Sequence, residues 1–484
     1  MSAALILSAL LAVAIGFAFL CATWPRAVDF HPYRAVVTAL AVGVGLGITA
    51  VGLFGWLVLF GPPDRALMAV ELAVLILLAG WINRAKGWRA PVVGTAKTGP
   101  PASALVDRIV VMAFVVTLAC AAAAFVGLSV SRPHGAWDAW MNWNLRARMI
   151  FRAGTEWRVA FSPLIPWSHP DYPMLVQASV VRTWIYAGGE TLLGPAMVAF
   201  LFTFGTAGLV VAALAALRDR TQGMLAGLIL LATPFLIFHG TSQYGDVPVG
   251  FFFLATVVLL ALHDRHREDT GVFAILTGLT TGLAGWTKNE GLLFLAAVVL
   301  ATLLTLPRAE GGRRCAREAG LFLLGLLPML VLIAYFKLRF APPNDLMSTF
   351  GAGETLARLT DPQRYLAVAK GYGREVATFG FNGLISAAPL LGAYGVCVGV
   401  CVGELRTRWF RMTVWIVALM LMGHAMVIIA TSADAARLVN SSLDRLLLQL
   451  WPVIVLACFR VFRSPMRRAE PGKESALSAE NVGA

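Results

Sequence analysis

The chain reads as an all-α polytopic membrane protein of about thirteen spans, and three observations carry that reading. Hydrophobic residues make up 58% of the 484, charged residues only 13%, and the mean hydropathy is +0.76. A soluble domain carries about 25% charged residues, a difference that no water-facing surface absorbs. Apolar runs of bilayer length recur along the chain. Between them, basic residues gather in short segments, where they orient spans and meet anionic lipid. The net charge of +13 is therefore a membrane signal. No basic domain stands apart from the apolar runs, which argues against a nucleic-acid partner.

The expected spans are 3–23, 36–60, 66–83, 107–131, 191–216, 223–239, 247–262, 271–286, 291–306, 318–336, 378–402, 412–430 and 446–462. The first lacks a basic leader and a small-residue cleavage site, so it reads as a retained span. The segment 84–108 carries Arg84, Lys86, Arg89, Lys97 and Arg108, and 308–317 carries Arg308, Arg313, Arg314 and Arg317. Arg406, Arg408 and Arg411 precede the twelfth span, and Arg460, Arg463, Arg467, Arg468 and Lys473 lie at or beyond the end of the last. With thirteen spans all four groups share one side, the cytoplasmic one. The N-terminus is then outside and the C-terminus inside. Merging 271–306 into one span would split the basic groups between two sides, so two short spans are kept. The outward segments become 132–190, 240–246, 287–290, 337–377 and 431–445. A Pro/Gly-rich linker at 90–106 closes a first unit of three spans, 1–106. The polar tail 463–484 reads as disordered. Six cysteines read as small buried hydrophobes, with no disulfide and no metal site built on them. No internal repeat is visible and the spans hold few ionisable residues, which argues against a transporter.

The unusual polar residues all fall outward. Trp137-Asp138-Ala139-Trp140 follows the fourth span, so Asp138 stands among aromatic rings near the membrane surface. Partial desolvation suits such a carboxylate to general-base work, though capping the next helix is the plainer role. From Met141 to Gly154, apolar positions alternate with Asn142, Asn144, Arg146, Arg148 and Arg152 at helical spacing. An amphipathic helix on the membrane follows, its basic face holding a lipid phosphate or merely anionic lipid. In His169-Pro170-Asp171-Tyr172-Pro173 two prolines hold the chain extended and fix the direction of Asp171. Asp246 opens a helix after Tyr244-Gly245, where a helix cap is the alternative. Lys288 and Glu290 sit between two spans, free to pair with each other or to reach a phosphate and a hydroxyl respectively. Arg445, at the outer end of the last span, either snorkels or grips a phosphate with its two-pronged guanidinium.

Taken in order, Trp137-Asp138, His169-Pro170-Asp171-Tyr172-Pro173, Tyr244-Gly245-Asp246-Val247-Pro248, Trp286-Thr287-Lys288-Asn289-Glu290-Gly291 and Leu443-Asp444-Arg445-Leu446 resemble the bacterial multispan glycosyltransferases of the GT-C superfamily. These are relatives of protein O-mannosyltransferases and of lipid A aminoarabinose and galacturonic acid transferases. The resemblance spans residues 107–462, with 132–190 as the outer catalytic loop. It implies an enzyme of the cytoplasmic (inner) membrane. The enzyme would move a sugar from a polyprenyl-phosphate donor to a glycan, lipid or protein acceptor on the extracytoplasmic face. Carried over, Asp138 would be the base, Asp171 a second acidic group, and Lys288 and Arg445 donor-phosphate ligands, with Arg146 and Arg148 as further cations. Trp137, Trp140, His169, Tyr172, Asp246 and Glu290 supply the aromatic faces and polar groups that bind sugars. Two departures stand out: three extra spans precede the key loop, which in much of the superfamily follows the first, and Asp138 is followed by Ala139 where many members have a second acid. A divalent metal is the one cofactor the family allows, and a lone carboxylate holds such an ion poorly. The alternatives are a polymerase or ligase of lipid-linked glycans and a flippase for a lipid-linked saccharide.

Overall fold

The structure, a computed structural model, describes residues 2–86, 104–267, 271–305, 312–344, 352–380 and 386–465. Most of the expected linker (through residue 103) and the expected tail from residue 466 lie outside the described residues. The described chain is helical: α1 Ser2–Thr23, α2 Arg34–Leu59, α3 Ala66–Lys86, α4 Ala104–Ser131, α5 Asn144–Arg152, α6 Leu175–Ala187, α7 Leu193–Leu217, α8 Arg220–Leu231, α9 Pro234–Thr241 and α10 Asp246–Arg265. Then follow α11 Val272–Thr287, α12 Glu290–Leu304, α13 Gly312–Arg339, α14 Ala352–Leu359, α15 Pro362–Thr378, α16 Ala387–Val398, α17 Val402–Leu405, α18 Arg408–Ala430 and α19 Ala435–Val461.

Most expected spans fall on a helix or a bent helix pair, while 378–402 crosses residues outside the described set and carries only α16; among the described residues fewer than thirteen helices are long enough to cross a membrane. Among the described residues nine helices meet that test, or ten if α8 and α9, bent by 63° before Pro234, count as one broken span. α11, α12 and α16 fall short. A helix of 16 residues such as α11 is about 24 Å long, against about 30 Å of hydrocarbon. The chain is nonetheless a multi-pass membrane protein.

α10 is the hub. Phe251, Phe252 and Phe253 are fully buried, and the helix packs against α2, α7, α11 and α19. α1 and α2 meet closely through small residues: a methyl on Gly45 would stand 2.0 Å from the Ala12 carbonyl oxygen. Both helices belong to the same continuous apolar core as α7 and α10. Packing therefore runs across the expected unit boundary at residue 106. α3 and α4 expose most of their apolar side chains, as lipid-facing helices do. α3 still contributes one buried charge that the sequence reading passed over. Glu71 accepts from Arg182 of α6 and from Tyr186, while Arg182 also donates to Ser8 of α1.

The two ends of the bundle differ in chemistry. At one end Glu318 draws in Arg267 and Arg408, and Glu404 pairs with Arg218 and Arg460. At the other end meet the loop after α4, the α9–α10 and α11–α12 junctions, the last turn of α13 and the first half of α19.

Candidate active site

The loop after α4 is held against the α9–α10 junction by its backbone. Ala136 N–H donates to the Ser242 carbonyl at 3.1 Å. Gly135, at φ +74°, lies so close to that carbonyl that a methyl would stand 2.6 Å from it. Asn144 donates to the Gln243 side chain at 2.7 Å, and Gln243, itself left-handed at φ +60°, donates to the Pro133 carbonyl. A π turn, Ala139–Trp143, follows Asp138 and runs into α5. The Trp143 ring packs onto Gly245, where any side chain would collide with it. Asp138 is thus clipped beside the start of α10.

There it meets Arg445. One guanidinium nitrogen, Nη2, donates to Asp138 Oδ2 at 2.6 Å and to Asp246 Oδ2 at 2.9 Å, and Nε reaches the same Asp246 oxygen at 3.2 Å. The guanidinium lies over the Tyr244 ring at 4.6 Å. Asp246, fully buried, accepts on its other oxygen from Lys288 at 2.9 Å and Gln449 at 2.7 Å. Its side chain caps no helix; Gly245 holds the cap position. Lys288 also pairs with Glu290 at 2.6 Å. Burial disfavours the Lys288 cation, but the Asp246 and Glu290 carboxylates outweigh it and hold the ammonium above the ordinary lysine range. Asp138 differs from Asp246 in exposure: its side chain is 31% exposed against 0%. Its Oδ1 has no protein partner among the described residues.

A second centre forms around Asp171. Its Oδ2 accepts from Asn289 at 2.7 Å and Asn344 at 2.6 Å. Lys337, at the end of α13, donates to the Asp171 carbonyl at 2.6 Å and to Asn289 Oδ1 at 2.8 Å. The consecutive residues Lys288, Asn289 and Glu290 therefore tie the two centres together. Tyr172 stacks on His169, with ring centroids 5.1 Å apart, and lies against Trp143. Burial, with help from the Glu290 carboxylate, pushes the Tyr172 phenol above its usual range. His169 itself is left-handed at φ 46°, a cost carried by the fold around it.

Other expected residues sit elsewhere. Arg146 is fully buried and gives its nitrogens to the carbonyls of His169 at 3.2 Å and Tyr172 at 2.9 Å. It shapes the loop that carries Asp171. Burial brings its guanidinium down to about 9, with Asp171 opposing. Arg148 faces the other way, toward Glu190 and His134. α5 also turns Asn144 and Arg146 inward, so its basic residues form no common lipid-facing face. Folding the loop back over its own carbonyls needs donors inside, and these residues supply them. Trp137 and Trp140 stand exposed, 4.9 Å apart edge to face. Gln449, Asn289, Lys337 and Asn344 were missed from sequence. Gln449 sits one helical turn after Arg445, the spacing that could have flagged it.

Among the described residues no group of three or more His, Cys, Asp or Glu stands close enough to hold a metal ion. Where carboxylates approach one another, Arg445 and Lys288 lie between them. The described residues at this site do not fit a divalent cofactor.

No curated protein and no solved structure matches the chain. Residues 173–342 match the family model described as dolichyl-phosphate-mannose-protein mannosyltransferase. That segment carries Asp246, Lys288, Asn289 and Lys337, and within the all-helical, many-span bundle its match supports a membrane glycosyltransferase of the GT-C type.

Proposed function

We propose that this end of the bundle transfers a hexosyl or pentosyl group from a polyprenyl-phosphate donor to a hydroxyl of a glycan, lipid or protein acceptor, with inversion. The observation that carries the reading is Arg445 shared between an exposed and a buried carboxylate. A donor phosphate arriving at Arg445 competes with Asp138 for the same nitrogen, and Asp138 is released as the phosphate is gripped. The acceptor oxygen attacks the anomeric carbon and the bond from that carbon to the phosphate oxygen breaks. Its electron pair leaves with the carrier phosphate, and the acceptor proton passes to Asp138. Arg445 then faces the negative charge that grows on the leaving phosphate, with Lys288 adding to the field from behind Asp246. Trp137 and Trp140 offer faces for a sugar ring, and the apolar helices leading away from the site suit the carrier chain. The basic groups gathered at the opposite end of the bundle favour an extracytoplasmic site in the cytoplasmic membrane.

The test is mass spectrometry of polyprenyl-phosphate lipids and surface glycans in a deletion strain, complemented with wild type or with Asp138→Asn. The expected result is accumulation of a polyprenyl-phosphate sugar and loss of one residue from a glycan, restored by wild type and not by the variant. Accumulation of whole lipid-linked oligosaccharides would instead point to polymerisation, ligation or flipping. Asp138→Asn at near wild-type activity would remove Asp138 as the base.

A further inference from the structure

His424 lies in α18, in the apolar stretch of a membrane span, and nothing in the sequence reading singled it out. It is 2% exposed, and neither of its ring nitrogens has a hydrogen-bond partner among the described residues. α18 packs along α12, so tightly that a methyl on Gly423 would stand 2.7 Å from a Leu293 methyl. Leu293 is three residues after Glu290, on the same face of α12. His424, next to Gly423, is within electrostatic reach of both Glu290 and Lys288. One Glu290 oxygen, Oε1, is taken by Lys288, while the other, Oε2, is buried without a partner among the described residues.

Two polar groups with unmet hydrogen bonds among the described residues, buried on two helices packed together, need a third group to complete them. Their chemistry specifies it. A carboxylate oxygen only accepts, and a neutral imidazole offers one N–H donor and one bare nitrogen. A hydroxyl both accepts and donates, so one O–H group placed between them takes the imidazole N–H and gives its own proton to Oε2. We propose that His424 and Glu290 hold such a hydroxyl, a buried water or a hydroxyl of the transferred sugar, and that His424 is thereby a positioning residue. It fixes Glu290, Glu290 fixes Lys288, and Lys288 fixes Asp246 beside Arg445. The water form stands by itself; the sugar form rests on the proposed reaction.

The test compares purified full-length wild type with His424→Leu, His424→Gln, Glu290→Gln and the His424→Leu/Glu290→Gln double variant. Sugar transfer gives kcat and donor KM, and thermal unfolding in detergent gives a readout that needs no turnover. His424→Leu should lose about tenfold or more in kcat/KM, His424→Gln should stay within about threefold of wild type, and the double variant should be no worse than Glu290→Gln alone. A raised donor KM identifies the guest as a substrate hydroxyl, and a fall in kcat alone identifies a water. His424→Leu at wild-type activity, or losses that multiply in the double variant, would overturn the inference. Should His424→Leu not fold, His424→Asn, polar but short, takes its place. If the wild type transfers no sugar, the reaction reading fails by itself. The unfolding midpoints then decide the inference, coupled shifts supporting it and additive shifts overturning it.

Discussion

Asp138 and Asp246 touch the same guanidinium nitrogen, so exchanging each for asparagine separates chemistry from scaffolding. At Asp246 the carboxylate is fully buried and accepts from Arg445, Lys288 and Gln449 at 2.7–3.2 Å. Asparagine keeps the shape but removes the charge, and its amide nitrogen must face one of these donors. Lys288 and Arg445 are then cations held together with less to neutralise them. Breaking a buried ion pair by removing one partner costs about 3–5 kcal/mol, because the remaining charge stays buried. Asp138, with a side chain 31% exposed and one ionic partner, loses at most about 1 kcal/mol on the same exchange. The assay is thermal unfolding of detergent-purified protein beside sugar transfer. Asp246→Asn should lower the unfolding midpoint by several degrees and abolish transfer. Asp138→Asn should abolish transfer with a midpoint close to wild type. A wild-type midpoint for Asp246→Asn would refute the reasoning, since it would mean that the buried charges do not depend on one another.

Three further outcomes are expected. Arg445→Lys should lose at least about a hundredfold in transfer, because a single ammonium cannot reproduce the forked contacts to Asp138 and Asp246; steady-state kinetics checks it, and retained activity would reassign the phosphate contact. Arg146→Met should cost about 3 kcal/mol or more by leaving the His169 and Tyr172 carbonyls without their donor, whereas Arg148→Ala should fall within about 0.5 kcal/mol of wild type; unfolding midpoints read both. The raised phenol of Tyr172 favours the neutral form in the fold. Its contribution to stability is complete below the ordinary phenol range of about pH 10 and is lost as pH rises through the higher folded value. Ultraviolet titration should therefore show this phenol resisting ionisation until the protein unfolds, which a Tyr172→Phe comparison would identify.

The fold was legible because bilayer length and hydropathy act locally. Most apolar runs became helices; two that proved short, α11 and α12, were already marginal in length, whereas 378–402 was not, and the described helix on it, α16, has only 12 residues. The site was legible only as residue types in order. Nothing in the spacing of Asp138, Asp246 and Arg445 indicates that one nitrogen touches two carboxylates, since that contact joins residues up to 307 positions apart. Arg146 and Arg148 show the limit most plainly. Two positions apart on one short helix, they face opposite ways, so one is walled in against carbonyls and the other turns to Glu190. Composition treats them alike; the helical phase against α6 separates them.

Burial is what assigns roles within the acidic set. A general base must exchange its proton with a substrate that comes and goes, so it must be reachable and its partners must be displaceable. Asp246 fails both conditions: it is sealed, and two cations and an amide hold it. Asp171 is 3% exposed and caged by Asn289 and Asn344. Asp138 alone among the three combines exposure with a single partner, and that partner is the cation a phosphate would seek. Asp246 then has a different use. On the proposed reaction it would keep Arg445 fixed when Asp138 lets go, so that the guanidinium would not swing with the departing carboxylate and would meet the phosphate already oriented. A variant with Asp138 replaced should thus still bind donor phosphate through Arg445, and one with Asp246 replaced should not. Donor binding by the Asp138→Asn protein, measured without turnover, separates this division of labour from one in which both carboxylates serve the proton.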